Sequence, residues 1–315
     1  FMEGVEKLDM HKAVSVIFAD CVEYEINEPN VAVLDMAQWS RDGKNYEPRE
    51  EILRIDKKIR DELGYPMADG TDIQPWCIER KKLPEYVYLR FTVESDIETK
   101  CTLGYELIAD VWQNGNKLQP SKSGYYVDKA IHIMPLLPLR KGENELVLRV
   151  PISERISIEN FYLLGDFGVE VCGSHMRITE KRNKLEFGSI VAQSLPFYGG
   201  EIAYKIPFEC EGGDLDVSVD WYEGALIGVR LDGIDADNIV LPPYEITVPD
   251  VKSGKHELEL RLYATRINTF GALHLAKPVM WKGPGMWYTQ DEWWSYDYCL
   301  QNTGIMRKPI ITIKK

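Results

Sequence analysis

The chain has no hydrophobic run near the roughly 20 residues that a membrane-spanning helix needs. It also lacks any collagen-like period, low-complexity tract or heptad run. Its six cysteines, Cys21, Cys77, Cys101, Cys172, Cys210 and Cys299, form no CxxC pair, so a thiolate zinc site is not expected. Their wide, irregular spacing suits free thiols better than a disulfide framework, which favours a reducing compartment. The five histidines are scattered without metal-ligand spacing, and no HExxH, GxSxG or P-loop pattern is present. Positive charge is in short supply: 37 Lys and Arg face 50 Asp and Glu, a formal charge of −13. A nucleic acid would be repelled at long range, and neither nucleic acid nor a membrane is an expected partner. A neutral ligand such as a sugar remains compatible with that charge.

Aromatic residues, by contrast, are plentiful: 8 Trp, 17 Tyr and 9 Phe among 315 residues, ample material for packed cores. The N-terminus has no cationic region followed by an apolar core, so it does not read as a secretory signal. It begins with Phe1 rather than Met, which points to a piece of a longer protein.

Periodicity gives mostly strands. Ala13 to Ala19 reads as a buried strand and Val31 to Trp39 as a second, followed by hairpin-turn chemistry at Asp42-Gly43. One helix stands out: Ile52, Ile55, Ile59 and Leu63 share a face, and Gly64 and Pro66 end it. Beyond about Leu83, short alternating segments recur between turn signals, the rhythm of a β-sandwich. The pattern occurs twice. Val111 to Gly115 ends in Asn114-Gly115, and after an aromatic segment comes Lys141-Gly142-Glu143-Asn144-Glu145-Leu146-Val147-Leu148. Val229 to Gly233 ends in Asp232-Gly233, and later comes Ser253-Gly254-Lys255-His256-Glu257-Leu258-Glu259-Leu260. We read one sandwich module in two copies. A Rossmann sheet or a TIM barrel would need a helix after nearly every strand, and a single good helix excludes both. The expected division is a β-rich segment with one helix at 1–82, a first sandwich at 83–175 and a second at 176–315.

These patterns resemble the galactose-binding-like jelly rolls of large glycoside hydrolases. Val229 to Gly233 with Asp250 to Leu260 is similar to the sugar-binding domain of the β-galactosidase/β-glucuronidase family. Further markers are Leu34-Asp35, Gln74-Pro75-Trp76, Tyr162 to Phe167, Leu195 to Gly200 and Asn268-Thr269-Phe270-Gly271. The wider chain resembles the C-terminal part of large bacterial glycosidase-like proteins, without their catalytic barrel. The resemblance implies an all-β fold of tandem jelly rolls. It also implies an accessory region that binds carbohydrate and braces a catalytic domain of the same polypeptide.

The densest aromatic stretch lies near the C-terminus: Trp281, Trp287, Tyr288, Trp293, Trp294, Tyr296 and Tyr298. Sugar rings stack their C–H faces on flat aromatic rings, and Asp291 and Glu292 could accept from their hydroxyls. The sugar-binding candidates are therefore Trp281, Trp287, Tyr288, Trp293, Trp294, Asp291 and Glu292. The competing reading is a set of rings that plug a seam between domains. Tyr125 and Tyr126 fall on opposite strand faces, so at most one can serve a common site. Glycoside hydrolysis by this chain itself would need a close carboxylate pair. Glu159 and Asp166 sit in a marked motif but read as structural. Asp232 to Asn238 is oxygen-rich, as a calcium loop would be, but lacks EF-hand spacing and reads as a solvated hairpin. His256 and His274 read as structural, and no cofactor is expected.

Overall fold

The computed structural model describes residues 13–66, 84–278 and 288–315. It is an all-β protein in which two antiparallel sandwiches carry nearly all of the regular structure. The first pairs a five-stranded sheet, running from Gly124–Tyr126 through Phe161–Gly165 to Asn30–Leu34, with an eight-stranded sheet centred on Glu85–Ser95 and Gly142–Ile152. These two long strands align antiparallel along their whole length, from Gly142 opposite Ser95 to Ile152 opposite Glu85. Their inward residues alternate as the pleat requires: Val87, Leu89, Phe91, Val93 and Leu146, Leu148, Val150, Ile152 are buried. Phe91 meets Phe161 of the facing sheet edge-on, with ring centroids 5.8 Å apart. Parallel pairing occurs where His175–Thr179 joins Glu85–Ser95.

The second sandwich pairs a six-stranded sheet around Glu201–Cys210 and Gly254–Tyr263 with a four-stranded sheet around Gly213–Ser218 and Ile310–Lys314. Leu215, Val217, Ile311 and Ile313 face Ile206, Leu258 and Leu260 in one apolar core. A short ladder of Tyr222–Glu223 with Gly304–Ile305 is attached to it.

The stretch before residue 67 is shared between the sandwiches. Cys21–Ile26 lies between Lys184–Glu186 and Glu201–Cys210 in the second sandwich. Asn30–Leu34, Met36–Ser40 and helix α1 (Ile52–Leu63) belong to the first, and Ile52, Ile55 and Ile59 are fully buried in its core. The run Ala13 to Ala19 is a correction to the sequence reading. It is not a buried strand: only Val14–Ser15 pairs, at the edge beside Ile310–Lys314, and both residues are exposed. Val31 to Trp39 is broken into two strands at Asp35, whose side chain turns away to serve another contact.

The two Asn/Asp-Gly turns of the repeated pattern share backbone conformation and hydrogen bonds. Asn114 and Asp232 have φ of 50° and 51°, and Gly115 and Gly233 have φ of 79° and 80°, left-handed values that glycine tolerates at the turn. The Asn114 amide donates to the Glu145 carbonyl at 2.9 Å, and its side-chain oxygen accepts from the Glu145 amide at 2.9 Å. Asp232 makes the same two bonds with Glu257, both at 2.9 Å. The third partner is Asn144 in the first copy, at 3.4 Å from Asn114, and His256 in the second, at 2.7 Å from Asp232.

Among the described residues no helix is long and apolar enough to cross a membrane.

Candidate functional site

The C-terminal aromatic stretch returns across the first sandwich and docks beside α1. Its anchor is a buried polar network. Asp35, Glu51 and His274 are all at most 4% exposed. The Tyr298 hydroxyl donates to Asp35 Oδ1 at 2.7 Å, and His274 Nε2 lies 3.2 Å from Asp35 Oδ2. His274 Nδ1 lies 2.9 Å from the Ser295 carbonyl oxygen, which can only accept, so Nδ1 carries a proton. The Trp294 indole donates to Glu51 Oε2 at 2.7 Å, and the Arg54 guanidinium lies 4.1 Å from the Trp294 ring centre. Burial alone would lower His274, but the hydrogen bond and charge of Asp35 outweigh it and raise its pKa. Burial pushes the Glu51 carboxyl up to about 7 against the pull of His274. Burial, with Asp35 beside it, raises the Tyr298 hydroxyl well above the ordinary range. This network holds the strap, and its ionisable members Asp35, Glu51 and His274 are closed off from solvent.

Beside the network lies an open groove of about 680 Å³ between α1 and residues 288–293. The helix side presents Glu50, Arg54, Lys57, Lys58 and Asp61. These are the polar complement of the Ile52, Ile55, Ile59 face, so burying one face of α1 necessarily turns the other toward the groove. The opposite wall holds Tyr288, Asp291 and Trp293, with the Tyr288 and Trp293 rings 5.1 Å apart at 44°. Two cations of α1 hold that wall: Arg54 donates to the Thr289 carbonyl at 2.7 Å and Lys57 to its hydroxyl at 3.1 Å.

The predicted candidates thus separate. Tyr288, Trp293 and Asp291 line the groove. Trp294 faces the buried network, where it donates to Glu51 and lies beside the His274 ring. Glu292 points outward and pairs with Lys277 at 2.7 Å. Trp281 and Trp287 lie outside the described residues, as does the Gln74-Pro75-Trp76 marker. The sequence reading did not single out Glu51, Arg54, Lys57 or Asp61. Their helical spacing opposite the apolar face was the available signal.

Three of the marker segments, those holding Tyr162, Phe197 and Asn268 to Phe270, meet one another. Asn268 exchanges two hydrogen bonds with the Gln301 backbone, at 2.8 and 2.9 Å. The Thr269 hydroxyl donates to the Phe197 carbonyl at 2.7 Å. Tyr162, Tyr126 and Phe270 form a triangle of rings with centroids 5.6 to 6.1 Å apart. Arg266 forks onto Glu28, with one nitrogen–oxygen contact at 2.7 Å, and reaches the Tyr126 hydroxyl at 3.4 Å.

The remaining candidates fall into structural roles. Tyr126 is buried and Tyr125 is 56% exposed, as strand alternation requires. Asp166 pairs with Lys181 at the surface. Surrounding protein, with the Glu106 and Asp56 carboxylates, raises Glu159, although one face of the residue stays open to water. The recess that Glu106 and Glu159 line holds only about 10 Å³, no more than one water molecule. In the oxygen-rich hairpin Asp232 is engaged by His256 and Asp235 by Arg230, at 2.7 and 2.8 Å.

No family model and no curated protein matches the chain. Among solved structures it is similar to a rhamnosidase from Novosphingobium sp. PP1Y, with 15% identity and a TM-score of 0.29 over 74% of this chain and 23% of that one. It is also similar to a β-D-mannosidase from Dictyoglomus thermophilum, with 12% identity and a TM-score of 0.28 over 78% of this chain and 32% of that one. An exo-chitosanase from Amycolatopsis orientalis matches with 11% identity and a TM-score of 0.31, over 73% and 28%. The chain therefore spans a third or less of each of these relatives' length.

Proposed function

We propose that the chain is a carbohydrate-binding accessory region of a bacterial glycoside hydrolase, braced against a catalytic domain elsewhere in the same polypeptide. The observation that carries this reading is the groove beside α1. There two aromatic rings, Tyr288 and Trp293, share a wall with the Asp291 carboxylate and face Glu50, Asp61 and the α1 cations. Aromatic faces with a few convergent polar groups suit a sugar's apolar ring face and its hydroxyl rim. Acidic and basic side chains occur in equal number along the groove, which favours an uncharged glycan over a charged one. The test is calorimetric titration of neutral oligosaccharides. Trp293→Ala and Tyr288→Ala should each weaken binding by about ten-fold, a central hot-spot effect. Absence of any sugar binding at millimolar concentration would instead favour a pure interdomain scaffold, a role the buried Asp35–His274–Tyr298 network would serve.

A glycosidase reading has one observation in its favour: the Glu106 and Glu159 carboxylates line one recess, where Glu159 is raised. The small recess there argues against it. Hydrolysis of an aryl glycoside that disappears in Glu159→Gln would establish it over the binding role.

A further inference from the structure

We propose a second carbohydrate contact on the other sandwich, built on Trp221. At 47% exposure it is the one tryptophan among the described residues that stands this open; Trp39 is buried and Trp112, Trp293 and Trp294 are half-buried. Its backbone is fixed. Tyr222–Glu223 pairs with Gly304–Ile305, and the Met306 amide donates to the Trp221 carbonyl at 2.9 Å. Its ring is oriented too. The indole nitrogen donates to Glu223 Oε1 at 3.3 Å, and the Arg307 guanidinium carbon lies 5.7 Å from the ring centre. Arg307 is itself tied to Asp220 at 2.6 Å.

An indole half open to water and held in place by three side-chain and backbone contacts keeps apolar area free for a ligand. Tyr46 and Tyr86, half-buried, lie under Arg90 and Arg149, at 3.6 and 3.8 Å, and are already covered; Tyr125 and Tyr296 are as open as Trp221 but offer a smaller phenol ring. One indole matches one pyranose face, and Asp220, Glu223 and Arg307 surround it with acceptors and donors for hydroxyls. A protein partner would need about 800 Å² of contact per side, whereas Trp221 stands among charged side chains. The occupant is therefore a sugar unit of a neutral glycan. The site stands apart from the α1 groove, because Tyr222 and Ile305 pack on the second core and α1 on the first. A polymer long enough to reach both would be held with the avidity of two contacts.

The experiment is titration of the intact chain with cello-, manno- and galacto-oligosaccharides at millimolar concentration, read by calorimetry and tryptophan fluorescence. Trp221→Ala and Arg307→Ala should each weaken binding of one of these sugars by about ten-fold, with Trp221→Phe restoring most of it. The additional loss should persist in a Trp293→Ala background. Wild-type affinity in Trp221→Ala would overturn the proposal while leaving the groove intact. Loss of all affinity in Trp293→Ala alone would also overturn it. No sugar binding by the unaltered chain would remove both sites. Concentration-dependent self-association abolished by Trp221→Ala, with no sugar response, would assign the ring to protein contact instead.

Discussion

Glu51 brings an acid into the first core beside another acid, Asp35, and its partners cover only part of that cost. The sign of its pH dependence follows from its raised pKa. The unfolded chain holds the Glu51 proton to roughly pH 4.5 and the folded chain to about 7, so stability falls as pH rises through that window. His274, also raised, adds stability below its unfolded value that is lost as pH climbs through its folded one. Both effects loosen the strap as pH rises. Unfolding stability should fall from about pH 4.5 to 7, with a falling melting temperature, and Glu51→Gln, which can still accept from Trp294, should remove up to about 3 kcal/mol of that change. Arg60 is the opposite case, a buried charge fully answered. It meets Asp56 at 2.6 Å and donates to the carbonyls of Pro66 and Ile156 at 3.1 and 2.9 Å. Arg60→Ala strands the Asp56 carboxylate and should cost about 3–5 kcal/mol in denaturant unfolding. Neither acid was legible as buried in the sequence. Asp56 and Arg60 look like a surface i,i+4 pair, and it takes Ile156 to Ile158, about a hundred residues away, to cover them.

At the scale of elements, the turns carry the clearest message. Asn-Gly and Asp-Gly, followed later by Asn144 or His256, could be read directly, because the left-handed turn demands those residue types and each side chain braces the next strand. The copies predict their own exchange. Asp232→Asn should cost little, since Asn114 does the same work, whereas Asp232→Ala should cost about 1–2 kcal/mol through a lost backbone bond and a strained positive φ. Equilibrium unfolding of the two variants checks the difference. The helix was equally legible from its apolar face, while the groove was not. Arg54, Lys57 and Asp61 read as a solvated face until the returning strap, tied by Thr289 and Trp294, becomes their opposite wall.

At the scale of the molecule, the N-terminal stretch interlocks the two sandwiches. Cys21–Ile26 is inserted between strands of one, and Asn30–Leu34 follows at once in the other, with Glu28 between them gripped by Arg266. A chain beginning at Pro84 would leave Glu201–Cys210 with an open edge and the first core without Ile52, Ile55 and Ile59. We expect it to aggregate, as size-exclusion chromatography and circular dichroism would show, even though it spans both repeats. Alternation, turn chemistry and one amphipathic helix determined the all-β class and the two matching turns from the sequence alone, because each is a local consequence of backbone geometry. Which strands join which sheet, which acids lose their water and which aromatic rings stay open were decided only by the tertiary structure. Those outcomes depend on contacts between residues up to two hundred and more positions apart, as Glu28 and Arg266 are, and no local pattern encodes them.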